Sequence, residues 1–318
     1  MIRSSTGSST LGGTAALDNQ GTLEVLGAGA PLIFTVNSPI AAATASGGVL
    51  LTGQWSVTDA GFATTLSVPG LGTIGTIGSG ATVTLDGANT SFTQLEPAGG
   101  SLAGIHAGGR LNVRGAGRVF TATGAVLNAG TLEVGGAPSD PARFDLGAGG
   151  GGTLTNNGLL QGHGTIGGQV QNLAGGVVGP GTSIGVLAVD GDYLQDAASV
   201  LLIEIASGGG VPGVDYDQLL VAGQAHLAGS LQLDFSAGYL PDPAEQFLVL
   251  DALGLTGEFD NTPGGKILLT IEGLSYVMDV TYDPSGGTVR LGNFRGYQAQ
   301  EIPEPASAAL LMSGLVAL

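Results

Sequence analysis

Apolar residues in the first two-thirds of the chain recur at alternate positions in short runs, each entered through Asn and Gly. Four copies of this unit are readable: Leu17-Asp18-Asn19-Gln20-Gly21-Thr22-Leu23-Glu24-Val25, Leu127-Asn128-Ala129-Gly130-Thr131-Leu132-Glu133-Val134, Leu154-Thr155-Asn156-Asn157-Gly158-Leu159-Leu160-Gln161-Gly162, and the looser Val170-Gln171-Asn172-Leu173-Ala174-Gly175-Gly176-Val177-Val178. Period-2 alternation puts Leu and Val on one side of an extended strand, and Asn and Gly tolerate the positive φ of a tight turn. Each unit therefore reads as a turn followed by a short strand. A lone strand cannot bury its apolar side, whereas stacked copies can. Spacings of 28 from Asn128 to Asn156 and 16 from Asn156 to Asn172 suit the coils of an irregular parallel β-solenoid, in which Asn side chains pair between rungs.

The stretch from Gly47 to Asp86 carries the same pattern, with strands predicted at 49–51, 55–57, 65–68 and 81–85. From about Gly181 the turns thin out and the apolar runs lengthen, at 186–189, 200–205, 218–221, 229–235 and 246–250. This predicts the last coils passing into a cap, because a final rung otherwise presents unpaired N–H and C=O groups. No segment before residue 300 has the 3.6-residue periodicity of an amphipathic helix. The expected fold is all-β, a right-handed parallel β-helix or β-solenoid with a β-rich cap and a short apolar C-terminal helix. It divides into solenoid repeats over 1–180, last coils and cap over 181–298, and a tail over 299–318.

Composition narrows the function. Glycine fills 60 of 318 positions without a Gly-X-Y period, and Pro is only 14, which excludes collagen. Charged residues are only 10%, so the polar surface is built largely from hydroxyls and amides. The net charge of −17, with Lys266 the only lysine, makes nucleic acid an unfavourable partner. Without Cys there is no disulfide, thiol nucleophile or thiolate metal site. The start, Met1-Ile2-Arg3-Ser4-Ser5-Thr6-Gly7, lacks the apolar core of a secretion signal, and the expectation is a natural start further upstream.

Two resemblances follow from particular residues. The runs Gly162-His163-Gly164-Thr165-Ile166-Gly167-Gly168, Val178-Gly179-Pro180-Gly181-Thr182-Ser183-Ile184-Gly185-Val186-Leu187 and Gly191-Asp192-Tyr193-Leu194-Gln195, with Gly257-Glu258-Phe259, resemble the end of autotransporter passenger β-helices over roughly 125–295. No run of alternating strands follows that could build an outer-membrane barrel. The end of the chain, Glu301-Ile302-Pro303-Glu304-Pro305 followed by an uncharged apolar stretch, resembles the PEP-CTERM sorting tail. That resemblance implies export from a Gram-negative cell by exosortase-type machinery, transient residence in the inner membrane through the apolar helix, and a sorting role for Pro303, Glu304 and Pro305. The apolar stretch is shorter than the ~20 residues of a bilayer span and carries no basic cluster, so the tail is expected to continue beyond Leu318.

Several internal motifs suggest chemistry. Gly162–Gly167 matches the dinucleotide pattern G-x-G-x-x-G, but that spacing arises about twice by chance at this glycine content, and no helix follows it. Gly181-Thr182-Ser183-Ile184-Gly185 matches a nucleophile elbow, with Asp215, Asp217 and His226 downstream, yet Pro180 precedes it and a strand follows where a helix is required. Asp190, Asp192 and Asp196, and Asp215 and Asp217, would be calcium ligands or glycosidase carboxylates only if they converged; solvated turns are the simpler expectation. Arg110, Arg114 and Arg118 recur every four residues and would share a strand face, as a solvated edge or as a grip on an acidic glycan. His106, His163 and His226 lack close metal-binding partners. Sequence thus points to a non-catalytic structural or adhesive protein of the cell surface or exopolysaccharide matrix, with no cofactor. A β-helix polysaccharide hydrolase or lyase, recognisable by three or more carboxylates, or carboxylates with Arg110 and Arg114, in one groove, and a calcium-dependent binding module are the alternatives.

Overall fold

The computed structural model describes residues 7–27, 29–97, 100–236 and 238–297. It is an all-β parallel solenoid of about nine turns. Each coil has three faces. On the first face Thr22–Leu26, Val49–Thr58, Thr76–Asp86, Arg110–Arg114, Thr131–Val134, Leu159–Gly162, Val177–Pro180, Val200–Ile205 and Ser230–Phe235 stack in parallel. Strand alternation produces this face directly. The inward column runs Leu23, Trp55, Val83, Leu111, Leu132, Leu160, Val178, Leu201 and Leu231 in unbroken register, and every member is buried. At ~1.5–3 kcal/mol for each buried Leu or Val side chain, this column is a main source of cohesion along the axis.

The second face begins as a separate four-stranded parallel sheet (Gly7–Gly12, Leu32–Asn37, Thr64–Ser67, Thr90–Phe92). It resumes at Val119–Ala122 and continues through Arg143–Leu146, Thr165–Gly167 and Val186–Val189. Its interior includes aromatic rings: Phe120 stacks on Phe144 at 5.3 Å with the rings 4° apart, and Phe92 stacks on Trp55 of the first face at 5.7 Å. The third face contains Gly104–Ile105, Ala125–Asn128, Thr153–Asn156, Gln169–Asn172 and Tyr193–Gln195.

One column of the third face changes chemistry along the axis. Ile77 and Ile105 are followed in register by Asn128, Asn156, Asn172 and Gln195. The three asparagines are completely buried and Gln195 nearly so. Asn128 Nδ2 donates to Asn156 Oδ1 at 2.8 Å, and Asn156 Nδ2 donates to Asn172 Oδ1 at 2.8 Å. Each also donates to a carbonyl of the next rung's first-face strand: Asn128 to Leu159, Asn156 to Val177 and Asn172 to Val200. Gln195 repeats the link by donating to the Ser230 carbonyl. The expected pairing of asparagines between rungs is therefore present and also fastens the corner between the third and first faces. Asn19, in the first copy of the repeat, makes the corresponding bond to the Gln54 carbonyl.

Gly175, in the fourth copy of the unit, has the expected positive φ of 83°, but the glycines of the second and third copies have a different role. Neither Gly130 nor Gly158 has positive φ. A Cβ on Gly130 would lie 2.3 Å from the Gly109 carbonyl oxygen, and one on Gly158 would lie 2.2 Å from that of Gly130. Close rung-to-rung approach at this corner, not turn conformation, requires glycine there.

The long strands after residue 181 have a geometric explanation. Gln218–Leu227 pairs first with Val186–Val189 and then with Tyr193–Gln195, so it bends across the corner between the second and third faces. Gln246–Gly257 follows the same bend on the next rung. The final coil is closed by antiparallel pairing of Gln246–Gly257 with Thr288–Gly296, which in turn pairs with Leu274–Asp283 of a hairpin whose first strand is Lys266–Ile271. The 3-10 turn Pro69–Leu71 is the sole helical element among the described residues. The expected C-terminal helix and the Pro303-Glu304-Pro305 motif lie outside the described residues.

Candidate functional surface on the first face

The outward side of the first face is a polar strip. Glu24, Ser56, Thr84, Asn112, Glu133, Gln161 and Gly179 follow one another in register over seven rungs. Alternation sets this out mechanically, since each is flanked by inward-facing Leu, Val or Trp. Asn112 Nδ2 donates to Thr84 Oγ1 at 3.0 Å, and Gln161 Nε2 donates to Glu133 Oε2 at 3.1 Å, so neighbouring rungs orient each other's side chains.

Arg110 and Arg114, at the two ends of one strand, both point outward and reach Glu133 on the next rung. Arg114 Nε donates to Glu133 Oε1 at 2.5 Å, and Arg110 lies at 4.0 Å. Glu133 is buried despite its outward position. The Glu133 hydrogen bond and charge, aided by Asp86 and Asp140, hold the Arg114 guanidinium pKa above the ordinary value against burial. Asp86, desolvated and close to Asp140, has its carboxyl pushed up. His163, at the same corner, has its pKa lowered by burial although Asp140 and Glu133 oppose this, and its Nδ1 is buried without a partner among the described residues.

Arg118 does not share this face. A turn after Arg114 redirects the chain, and Arg118 is a buried residue paired to Glu96 and to the Val119 carbonyl. The expectation of a solvated three-arginine edge fails because the four-residue spacing crosses a corner of the coil instead of running along one strand.

Two rungs beyond Glu133 the strip opens into a small cleft of 130 Å³ lined by Leu159, Gln161, Gly179, Pro180, Thr182, Ser183, Leu202, Glu204 and Asp217. Gly179 occupies an outward strand position, and a Cβ built on it would meet nothing closer than Leu202 Cδ2 at 3.9 Å. The missing side chain is what leaves the cleft open. Residues 181–185, the elbow-like Gly-Thr-Ser-Ile-Gly motif, form one wall. Asp217 braces that wall by accepting from Gly185 N at 2.7 Å and Glu204 N at 2.8 Å, while burial pushes its carboxyl up to about 8 against those two bonds. Glu204 is also pushed up, first by burial and then by Asp234.

The remaining candidates scatter. Ser183 is exposed on its turn with no side-chain hydrogen bond to a base among the described residues, and His226 lies elsewhere, bonded to Thr256 at 2.6 Å. The Gly162–Gly167 run is a strand end and the start of the next strand, with Gly162 bridged to Gly181. Asp190 pairs with Arg143 at 2.6 Å and Asp192, in the same turn, accepts from Gln224 N, while Asp196, after the next strand, accepts from Ala197 N. Asp215 accepts from Ser207 and Val211 N, which hold its carboxyl below the ordinary range. His106 is exposed. Among the described residues no group of three His, Asp or Glu side chains is placed to hold a metal ion, and no helix is long and apolar enough to cross a membrane.

Sequence inspection missed the cleft. Its signal was Gly179, which removes the side chain from an outward position of Val177–Pro180. Comparison of the sequence with protein-family models and with curated proteins finds no match in either.

Proposed function

We propose that this is a non-catalytic structural or adhesive component of a bacterial surface or exopolysaccharide matrix, working through the outward strip of the first face. The supporting observation is the unbroken register of Ser56, Thr84, Asn112, Glu133 and Gln161 at the ~4.8 Å rung spacing, in which Ser56, Thr84 and Gln161 stay partly open and the buried Asn112 and Glu133 brace their neighbours. A repeating polymer of hydroxyls is a natural complement to such a strip. The resemblance of Pro303-Glu304-Pro305 to a sorting tail supports delivery by exosortase-type machinery through a transient inner-membrane stage, with the following apolar stretch as a short helix. The coil is taken as right-handed, the hand favoured for parallel crossovers.

The test is expression of the full chain, with its natural flanking sequence, in an exosortase-bearing host, followed by fractionation. Recovery in the matrix fraction, with loss of that recovery when Pro303, Glu304 and Pro305 are replaced by Ala, is expected; retention of the unaltered protein in the cytoplasm overturns the reading. The meeting of Arg110 and Arg114 with Glu133, beside Asp86 and Asp140, favours a second reading, a β-helix enzyme acting on acidic polysaccharide. Release of reducing ends from uronate polymers, abolished by Glu133→Gln, would establish it.

A further inference from the structure

The cleft beside Gly179 has a definite chemical preference. Gln161 donates one Nε2 N–H to Glu133, and its carbonyl oxygen, without a partner among the described residues, is an acceptor on a residue that lines the cleft. The Thr182 hydroxyl donates to the Gly136 carbonyl and retains its lone pairs. Neither the Glu204 carboxylate nor the Ser183 hydroxyl has a hydrogen-bonding partner among the described residues. Leu159, Pro180 and Leu202 supply an apolar floor. The site is thus rich in acceptors, contains no cation among its lining residues, and belongs to a chain of net charge −17. An anion would be repelled by Glu204 and find no positive group. A ligand that donates several hydroxyls and presents a C–H face would satisfy both halves of the lining.

We infer that this cleft is a subsite for one unit of a neutral, hydroxyl-rich sugar, with Glu204, Gln161 and Ser183 accepting or exchanging hydrogen bonds with ring hydroxyls and Leu202 and Pro180 under the C–H face. The inference rests on the reading that the first face meets glycan, and it names where along the strip one sugar is held and which class of sugar it is. It excludes uronates from this position, in contrast to the acidic substrate suggested by Arg110 and Arg114.

Gly179→Val tests the location with little risk to the fold. The position is a strand residue without positive φ, a Cβ there makes an ordinary contact, and valine favours strands. The probes are free glucose, galactose and mannose, with glucuronate and galacturonate as counter-probes, read on the full chain by saturation-transfer NMR and titration calorimetry. At least one neutral hexose is expected to bind, and its affinity should fall at least about tenfold in Gly179→Val at unchanged melting temperature. The corresponding uronate should bind at least about tenfold more weakly, a gap that Glu204→Gln narrows. Absence of hexose binding to the unaltered protein, unchanged binding in Gly179→Val, or uronate binding as tight as hexose binding overturns the subsite. Matrix recovery of a protein that binds no hexose overturns the subsite alone. Hexose binding by a protein that never reaches the matrix overturns the surface reading and leaves the subsite standing.

Discussion

Asn156 sits in the middle of the amide column, and replacing it by Ala tests whether the column holds the coils together. Its side chain accepts from Asn128 Nδ2 at 2.8 Å and donates to Asn172 Oδ1 at 2.8 Å, Val177 O at 3.1 Å and Gly158 O at 3.2 Å, all with the residue fully buried. In Asn156→Ala the Asn172 Oδ1 and Val177 O atoms lose this donor, while Asn128 Nδ2 keeps its bond to the Leu159 carbonyl. Asn172 Oδ1 is left buried without a donor, at about 1–3 kcal/mol, and Val177 O, an acceptor in the strand ladder, loses only its second donor, at about 0.5–1.5 kcal/mol, so a loss of about 2–4 kcal/mol is expected. Asn128→Ala should cost about 1–2 kcal/mol less, because Asn128 Oδ1 is already buried without a partner and its removal relieves that defect. The assay is urea denaturation of the full chain followed by circular dichroism, with the slope m compared between variants to detect fraying of part of the solenoid. A double-mutant cycle with Asn172→Ala should be less than additive, since the two residues share a bond. A loss below about 1 kcal/mol in Asn156→Ala, or one no larger than in Asn128→Ala, would refute the reasoning.

Further outcomes follow from other buried groups. Asn156→Asp puts a carboxylate against Asn172 Oδ1, which cannot donate to it; burial raises its folded pKa above the unfolded ~3.9, so the variant should be near its most stable at pH 4 and lose stability as pH rises toward 7 in a melting series. Glu96→Ala strands the buried Arg118 and should cost about 3–5 kcal/mol in denaturant, with Arg118→Met added to it restoring much of the loss. Glu272, at φ 51 before Gly273 in the cap hairpin, should gain about 0.5–1 kcal/mol as Glu272→Asn, measured as a higher urea midpoint. Burial lifts the Asp217 carboxyl to about 8, so the folded protein keeps a proton that the unfolded chain releases near 4. Melting temperature should therefore fall between pH 5 and 8, and Asp217→Asn should flatten that fall.

The solenoid was legible because its determinants are local. The alternation in Thr131–Val134 or Thr165–Gly167 needs only neighbouring residues to define an inner and an outer side, and Asn128, Asn156 and Asn172 announce themselves by recurring in the same place within the unit. What sequence could not supply was the position of corners. Arg118 was grouped with Arg110 and Arg114 because nothing in the spacing marks Gly115–Gly117 as a change of face, and Gln218–Leu227 read as a shorter strand because the register shift between Val221 and Gln224, where it bends, does not end the strand. Gly130 looked like a turn residue because the Gly109 carbonyl oxygen that excludes a Cβ is twenty-one residues away along the chain.

The same limitation explains why the candidate site was missed while its neighbours were noticed. Ser183, Asp217 and His226 drew notice as a possible nucleophile, acid and base because chain order imitates a hydrolase, yet the coil sends His226 to Thr256 and leaves Asp217 bracing backbone N–H groups. Glu204 and Gln161 carry no motif at all. They become a site only because Val177–Pro180 places Gly179 between their rungs, so the informative residue is the one with no side chain. In a solenoid the outer surface is a lattice of register positions, and function is written as much in omissions from that lattice as in reactive groups added to it. A glycine at an outward strand position, as Gly179 between Gln161 and Leu202, is therefore a feature that can be sought from sequence once the register is known.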